Sequence, residues 1–456
     1  MRKLFSVDFK RSPIAWVVAV TAAAVWVLFA GQGLAPKSGG SSYTAFRKPT
    51  GQPQLISIEP LPQSLSMMDG EMCQWAPASG SEGLVAGLQQ GRLTGRSGYA
   101  ADDARTSLTL ERAPRRVIRD SLPTYSAVAV DIANNEIVLQ DENLFQIMVY
   151  DRMANTPPTA NLTEPKRVIG GHETKTEFNC GLYIDPKTGD IYSVNNDTLD
   201  TMSVFSRNAR GNVHPDRELH TPHGTYGIAV DEEAQELYLT VQHNNAVIVY
   251  RKMAQGEEKP IRTLEGAHTR LADPHGVAID TRNQLLFVAN YGNAKNRRIP
   301  GSGTFEPPSI TVYPLHASGD TAPLRVITGP QTQLNWPAHL YADAEHGEVF
   351  VANDGESSIL VFRGTDSGNV APTRVLKGAK TQVKNPTGIF VDTVHDELVV
   401  ANMGNHSATV YPRAAQGDTP PLRTIRTAPL GQPALMIGNP GSVAYDTKRD
   451  AIITPN

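Results

Sequence analysis

The 456-residue sequence is poor in cysteine, in aromatic residues and in charge of either sign. It contains 2 cysteines, 7% aromatic residues and 19% charged residues, with a formal net charge of −4. A nearly neutral chain without a basic stripe argues against the proteins that bind nucleic acid through their charge. A disulfide between Cys73 and Cys180 is one alternative for the two cysteines, and two unpaired thiols are the other.

Several sequence signatures of enzymes are also missing. The chain has no Gly-x-Ser-x-Gly nucleophile elbow, no glycine-rich phosphate loop, no Cys-x-x-Cys-His haem motif and no His-Glu-x-x-His zinc motif. These absences remove the hydrolase, nucleotide-binding, haem and metalloprotease classes that such motifs mark.

Only one long uncharged run is present, at residues 14–30. It follows a basic segment that contains Arg2, Lys3, Lys10 and Arg11. A basic flank before an apolar run of this length predicts a signal peptide or a transmembrane anchor over residues 1–30. We expect the rest of the chain to be exported to the periplasm or cell surface, anchored in the inner membrane by residues 14–30. Residues 31–106 are rich in Gly, Ser, Pro and Gln and are predicted to form a low-complexity linker.

A five-residue phrase, Pro-x-Arg-x-(Ile/Leu), occurs seven times beyond residue 106. The copies are Pro114–Ile118, Pro165–Ile169, Pro215–Leu219, Pro260–Leu264, Pro323–Ile327, Pro372–Leu376 and Pro421–Ile425. A period near 50 residues indicates one repeated supersecondary unit. Proline cannot donate a hydrogen bond to a neighbouring strand, so each phrase fits the outer edge strand of such a unit, with a structural arginine.

Each unit also contains an apolar run that ends in an aspartate. These anchor residues are Asp131, Asp185, Asp231, Asp280, Asp343, Asp392 and Asp446. Two further short runs follow each of the first six anchors. With the anchor run and the Pro-x-Arg phrase they predict four antiparallel strands per unit. The sequence therefore predicts an all-β, seven-bladed β-propeller with four-stranded blades over residues 107–456. We expect the amino-terminal strands, near residues 107–118, to complete the last blade and close the ring.

The phrasing of the repeats resembles a known group of bacterial propellers. The stretch VDTVHDELVVANMGNHSATVYPRAAQGDTPPLRTI is similar to NHL-type and YVTN/lactonase-type repeats. The resemblance implies a propeller from about Ser107 to the carboxyl terminus. These families include gluconolactonase-like and phosphogluconolactonase-like hydrolases, lyases and many propellers that only bind.

Counting from the anchors predicts which residues line the mouth of the central channel. Ten residues after the anchors stand Asp141, Asn195, Val241, Asn290, Asn353, Asn402 and Asn456. An asparagine can cap the end of its own strand, or the ring can offer oxygens to a divalent cation such as Ca²⁺. Only Asp141 is acidic, which weakens the calcium alternative. We select Tyr226, Asn290, Asn353 and Asn402 as candidate ligand-binding residues.

Two histidines, His275 and His339, begin adjacent units at the same mouth. With Asp141 and Asn195 they are the candidate metal ligands, and by themselves they are the candidate catalytic residues. No third strong ligand is identifiable in the sequence. The alternative to a metal or catalytic role is that both histidines are structural and hydrogen-bonded.

The fourth unit departs from the repeat, because about 14 additional residues separate its second and third strands, around Asn293–Pro308. Lys295, Arg297 and Arg298 make this insertion basic. Long loops on a rigid scaffold often carry function, and this one is predicted to recruit an anionic ligand or an acidic partner. A neutral surface insertion is the alternative.

Together these patterns favour an exported, envelope-tethered propeller that binds a protein or a small molecule at its channel mouth. One alternative is a metal-dependent, lactonase-like hydrolase that uses the same face. Another is a purely structural envelope component. The lack of a carboxylate cluster in the positions counted favours binding over catalysis.

Overall fold

A computed structural model describes residues 121–196, 199–294, 304–435, 444–446 and 451–453. Within these ranges the strands build six four-stranded antiparallel sheets, each in sequence order from the inner to the outer strand. We number these sheets as blades 1 to 6.

The strands of blades 1 to 3 follow each other without interruption. Blade 1 contains β1 (Tyr125–Asp131), β2 (Glu136–Asp141), β3 (Gln146–Asp151) and β4 (Arg167–Gly170). Blade 2 contains β5 (Asn179–Ile184), β6 (Ile191–Asn195), β7 (Thr201–Phe205) and β8 (Arg217–His220). Blade 3 contains β9 (Thr225–Asp231), β10 (Glu236–Val241), β11 (Ala246–Arg251) and β12 (Arg262–Glu265).

Blade 4 carries an additional two-stranded ribbon between its second and third strands. The blade contains β13 (Pro274–Asp280), β14 (Leu285–Asn290), β17 (Ser309–Pro314) and β18 (Arg325–Thr328), and the ribbon is β15 (Asn293–Ala294) with β16 (Thr304–Phe305). Blade 5 contains β19 (Pro337–Asp343), β20 (Glu348–Asn353), β21 (Ser358–Arg363) and β22 (Arg374–Leu376). Blade 6 contains β23 (Pro386–Asp392), β24 (Glu397–Asn402), β25 (Ser407–Pro412) and β26 (Arg423–Arg426).

The remaining described elements are short. β27 (Ala444–Asp446) and β28 (Ala451–Ile453) form a separate two-stranded sheet. Single-turn 3-10 helices lie at His172–Thr174, Ala267–Thr269, Pro330–Thr332, Asp354–Glu356, Ala379–Thr381 and Met403–Asn405.

The anchor aspartates act as turn caps at the end of each inner strand. In blade 3, Asp231 Oδ1 accepts hydrogen bonds from the backbone N–H groups of Glu233 and Ala234, each at 2.9 Å. Asp392 does the same for Val394 and His395 in blade 6. An Asx-type bond of this kind fixes the tight connection to the second strand, which explains why the sequence repeats aspartate there.

The outer strand of each blade is bonded to a loop of the next blade. The backbone of Gly256, between β11 and β12, donates to Glu218 O at 2.7 Å and accepts from His220 N at 2.9 Å. We call this parallel bridge the clasp. Its described copies join Ile169 to Gly211, Leu219 to Gly256, Leu264 to Gly319, Ile327 to Gly368 and Leu376 to Gly417.

The arginines of the Pro-x-Arg phrases form ion pairs within the fold instead of extending into solvent. Four of them pair with the glutamate that opens the second strand of their own blade, as Arg167 with Glu136, Arg262 with Glu236, Arg374 with Glu348 and Arg423 with Glu397. The Arg423–Glu397 pair is 2.7 Å long, and both side chains are 11% exposed. The structural role is as predicted, but these guanidinium groups are largely buried.

The predicted count of seven blades is wrong, because blade 6 packs directly on blade 1. Thr156 N donates to Thr424 O at 2.7 Å, and Arg426 N donates to Thr156 Oγ1 at 2.8 Å, so threonine stands where the clasps have glycine and its hydroxyl replaces the carbonyl as acceptor. Arg152 of blade 1 also bonds Glu397 of blade 6 at 2.7 Å. The six described sheets therefore form a closed ring, and a shared seventh blade has no gap to fill.

Several predicted segments lie outside the described residues. They are the anchor or signal at 1–30, the linker at 31–106, and the strands near 107–118. Within the described ranges, no helix combines the length and the apolar character needed to cross a bilayer.

Candidate functional site

The inner strands of the six blades surround a narrow central channel. Their backbones approach so closely that a Cβ added to Gly276 would lie 2.6 Å from His339 Cα. At the junction of blades 6 and 1, a Cβ on Gly388 would lie 2.7 Å from Ala127 Cα. Glycine at this register thus sets how tightly neighbouring blades pack.

A β-bulge interrupts each inner strand near the channel mouth. The register shifts place Ser126, Cys180, Tyr226, His275, Ala338 and Thr387 in these bulges. Blades 1 and 6 have small hydroxyl residues there, and Ser126 Oγ bonds Asn179 O of the next blade at 2.6 Å. Blades 3 and 4 instead supply Tyr226 and His275, so the mouth is chemically one-sided.

The rim of the mouth consists of six equivalent residue pairs. In each, the backbone N–H just after the second strand donates to the carbonyl of a residue just before the inner strand. We call these the rim pairs. They are Thr124 with Glu142, Phe178 with Asn196, Gly224 with Gln242, Asp273 with Tyr291, Trp336 with Asp354, and Asn385 with Met403.

Blades 4 and 5 present the same two side-chain types in opposite order. Blade 4 has the acid first and the aromatic second, with Tyr291 N bonded to Asp273 O at 3.0 Å. Blade 5 has the aromatic first and the acid second, with Asp354 N bonded to Trp336 O at 3.0 Å. Two adjacent blades therefore bring two aromatic rings and two carboxylates to one side of the rim.

The rings form a column that runs from the bulge to the surface. His275 and Tyr291 stack with centroids 3.3 Å apart and planes at 9°, and Tyr291 and Trp336 stack at 5.7 Å and 11°. Tyr226 contacts His275 at 4.4 Å and also reaches His339 of blade 5 at 5.9 Å. We call Tyr226, His275, Tyr291, Trp336 and His339 the aromatic cluster.

His275 is buried and both of its ring nitrogens are engaged. Nδ1 lies 3.0 Å from Asp273 O and Nε2 lies 2.5 Å from Gln242 Nε2. A carbonyl can only accept, so Nδ1 carries the proton and Nε2 accepts from the amide. Burial lowers the pKa of His275 to about 3, so the imidazole is neutral at physiological pH.

His339 is also neutral, but its hydrogen bonding is incomplete. It is 8% exposed, and burial lowers its pKa to about 4, while a hydrogen bond to the backbone of Cys180 opposes that shift. Its Nε2 atom has no hydrogen-bond partner among the described residues. Cys180 belongs to blade 2, so His339 spans the channel towards the opposite side.

The two rim carboxylates of blades 4 and 5, Asp273 and Asp354, lie in a poorly solvated environment. Burial raises the pKa of Asp273 to about 7, although its side chain is 27% exposed. Burial also raises the pKa of Asp354, partly offset by a hydrogen bond from Asn385 and by the charge of Lys384. Burial, followed by the charges of Asp354 and Asp273 among others, raises the pKa of Tyr291 well above its usual value.

The predicted asparagine ring has a structural use in the fold. Asn195, Asn290, Asn353 and Asn402 are fully buried and accept backbone N–H bonds from the segments before their inner strands. Asp141 does the same for Thr124 at 2.7 Å. These side chains therefore fix the position of the rim, because the segments to which they bond contain the first residue of each rim pair.

No group of three His, Cys, Asp or Glu side chains with metal-binding proximity occurs among the described residues. The structure does bring His275, His339 and the candidate ligand residue Tyr226 into one cluster. Lys295, Arg297 and Arg298 lie outside the described residues.

The sequence analysis missed Asp273, Tyr291, Trp336 and Asp354. They stand seven residues before and eleven residues after their anchors, whereas the counting stopped at five before and ten after. At these two registers only blades 4 and 5 combine an aromatic residue with an acid. This combination could be recognised only with the bulge and the turn geometry in view.

Comparisons with known proteins add only coarse information. No family model matches the sequence, and no curated protein matches it either. Hydrazine synthase from Kuenenia stuttgartiensis is similar in structure over 66% of this chain and 99% of its own, with 11% identity and a TM-score of 0.45. A functionally unknown protein from Desulfotomaculum acetoxidans DSM 771 is similar over 64% and 83%, with 14% identity and a TM-score of 0.44.

Likenesses at this level say nothing of activity. The six described sheets confirm the β-propeller fold that the repeat resemblance implied, whereas membership of the NHL or YVTN families is not shown.

Proposed function

We propose that this propeller is a binding module whose ligand sits at the channel mouth of blades 3 to 5. The observation that carries the proposal is the column of stacked rings that ends in Trp336. This tryptophan is 40% exposed, and it is the one aromatic among the exposed large apolar side chains of the described residues. One-sided aromatic exposure at the mouth of a rigid ring is typical of a ligand site.

The backbone supports this role, because it presents the exposed ring in a fixed position. Trp336 has φ of 52°, in the left-handed region that bulky residues rarely adopt. Its carbonyl is bonded to Asp354 N, and the next residue, Pro337, begins β19. The same left-handed conformation recurs at this register in blades 2 to 6, so the repeat itself holds the ring in place.

A binding role has more support than the hydrolase alternative. His275 is neutral with both nitrogens engaged, and its pKa of about 3 makes it a weak general base near neutral pH. A metal-activated water would need a ligand set that the described residues do not assemble.

Ligand binding can be tested by a thermal-shift screen of small molecules on the full chain. A ligand that binds only the folded state raises the Tm with its concentration. We expect hits whose effect is lost in Trp336→Ala and retained in Val394→Ala, a change at a 69% exposed site outside the mouth. A Tm shift that persists in Trp336→Ala would show that the ligand binds elsewhere. Hydrolysis of a lactone by the full chain would favour the hydrolase alternative.

The proposal includes export and tethering by residues 14–30, supported by the basic flank and apolar run of the sequence. Alkaline phosphatase fused after residue 106 should be active, because that enzyme matures only outside the cytoplasm. An inactive fusion that is nevertheless expressed would contradict export.

A further inference from the structure

The rim carboxylates of blades 4 and 5, Asp354 and Asp273, have no cationic partner among the described residues. Asp354 is 7% exposed, yet its Oδ1 atom has no hydrogen-bond partner among the described residues. The charge of Lys384 lowers the pKa of Asp354, but no ion pair within 4 Å joins these two side chains. Buried charges are ordinarily paired, so an oxygen of this kind points to a partner from outside the chain.

Asp273 repeats this situation in the neighbouring blade. The nearest potential cation within ion-pair distance is His275 Nδ1, at 3.7 Å from Asp273 Oδ1. That imidazole is neutral because it is buried, so it supplies no positive charge. Both rim carboxylates of blades 4 and 5 are thus without a described counter-charge.

The two stacked aromatic residues are the rim partners of these two acids. Trp336 and Asp354 form one rim pair, Asp273 and Tyr291 form the other, and the two rings stack on each other. An aromatic face attracts a cation through its quadrupole, most strongly for tryptophan, and a nearby carboxylate adds Coulomb attraction. The three His, Cys, Asp or Glu ligands that a metal ion needs do not converge in the described residues.

We propose that the ligand of this mouth is an organic cation, an alkylammonium group that packs on the exposed ring of Trp336 and is neutralised by Asp354 and Asp273. This inference rests on the proposed function, because it names the ligand class of the same site. The alkyl groups meet the exposed ring face, and the positive nitrogen replaces the missing partner of the acids. The ammonium can belong to a free amine or to a lysine side chain of another protein.

The test uses the full chain and titrates choline against its neutral isostere, 3,3-dimethylbutan-1-ol, by calorimetry. We expect saturable choline binding and at least a tenfold weaker affinity for the isostere, a difference of about 1.4 kcal/mol, because the neutral compound makes no cation–π contact. A short peptide with one lysine, run in parallel, distinguishes the two sources. Saturation by either cationic probe, together with weaker binding of the neutral isostere, supports the assignment.

Matched variants separate the site from general effects on folding. Asp354→Asn keeps the side-chain shape and should weaken choline binding at least tenfold, as should Trp336→Ala. Phe178→Ala changes the aromatic at the same register of blade 2, whose rim partner is Asn196, and should leave affinity unchanged. Circular dichroism and the Tm of each variant check that it is folded, and Trp336→Phe keeps an aromatic face if Trp336→Ala does not fold.

The failures are distinguishable. Equal binding of choline and its neutral isostere, or no saturation by either cationic probe, overturns the cation assignment. If thermal-shift hits still depend on Trp336 in that case, the mouth remains a binding site for another ligand class. If no hit depends on Trp336, the proposed function itself fails.

Discussion

Asp273 and Trp336 occupy the same register in adjacent blades and share the same unusual backbone conformation, with φ of 51° and 52°. A left-handed conformation costs a non-glycine residue about 1 kcal/mol or more. Glycine, at Gly224 of blade 3, supplies the same conformation without that cost. Phe178 and Asn385 have the same conformation in blades 2 and 6, with φ of 45° and 43°, so what distinguishes blades 4 and 5 is the chemistry of their side chains.

At this scale, pH should control ligand affinity through Asp273. Its pKa of about 7 leaves the carboxyl protonated at pH 5.5 and mostly ionised at pH 8. A cation prefers the ionised form, so choline affinity should rise with pH, by about tenfold over this range. Choline keeps its charge throughout, so the change reports on the protein, and calorimetry at both pH values measures it.

Most other groups around Asp273 do not titrate in this window. His275 and His339, with pKa values near 3 and 4, stay neutral, and Tyr226 and Tyr291 stay protonated. Asp354, whose pKa is also raised, adds to the same trend. Asp273→Asn should flatten most of the pH dependence. A profile that falls with pH, or is unchanged by Asp273→Asn, would contradict the assignment.

Single residues also mark the limit of the sequence analysis. Tyr226, His275 and His339 could be selected because they interrupt a register of small residues. Trp336 and Asp354 could not, since their proximity depends on a bulge and on a backbone bond that joins the two ends of a hairpin. Counting along the chain finds positions, whereas the partners of a position depend on the turn between them.

At the scale of strands and loops, two kinds of glycine hold the blades together for different reasons. Clasp glycines such as Gly319 have positive φ, 61° in this case, and open space where a Cβ would stand. Inner-strand glycines such as Gly388 have no positive φ, but a Cβ there would lie 2.7 Å from Ala127 Cα. The first kind is needed for backbone conformation and the second for close packing.

These causes predict different costs for the same substitution. Gly319→Ala should lower the free energy of unfolding by about 1 kcal/mol, because only the left-handed backbone is strained. Gly388→Ala should lower it by about 2–3 kcal/mol, because a backbone atom of blade 1 must move. Urea denaturation measures both values. Gly319→Asn is the control, and should cost less than alanine because asparagine tolerates positive φ.

An unaltered stability for Gly388→Ala would show that the inner strands can separate without loss. Equal costs for Gly319→Ala and Gly319→Asn would show that conformation is not what the clasp requires.

For the whole molecule, the strands and their order could be predicted from the sequence, but the number of blades could not. Four short β-rich runs per repeat, with an aspartate turn and a proline edge, specify each sheet locally. Ring closure depends on how near adjacent inner strands come, which glycine at the register of Gly276 and Gly388 decides. The seven anchors and seven Pro-x-Arg phrases give no measure of that distance.

Closure by blades 6 and 1 makes a direct prediction for truncation. A chain that ends at Leu435 retains every strand of blade 6 and should keep its Tm, because the closing bonds of Thr156, Arg152 and Thr163 reach only Thr424, Glu397 and Arg426. A chain that ends at Pro421 lacks β26 and should lose much of its Tm. Differential scanning calorimetry compares the two. A large loss for the chain ending at Leu435 would reopen the seven-bladed arrangement.

The junction that closes the ring has one more consequence. Thr427 Oγ1 donates to Pro123 O at 2.8 Å, so the chain leaves the ring beside the point where it enters. As at the clasps, a backbone N–H of blade 1 donates to the outer strand of blade 6, and the ion pair of Arg152 with Glu397 also joins the two blades. Because the junction of blades 6 and 1 resembles the other blade junctions, no blade is structurally distinguished as the first. The gene for such a ring tolerates a change of starting point, so circular permutants that begin at any blade should reproduce the same mouth.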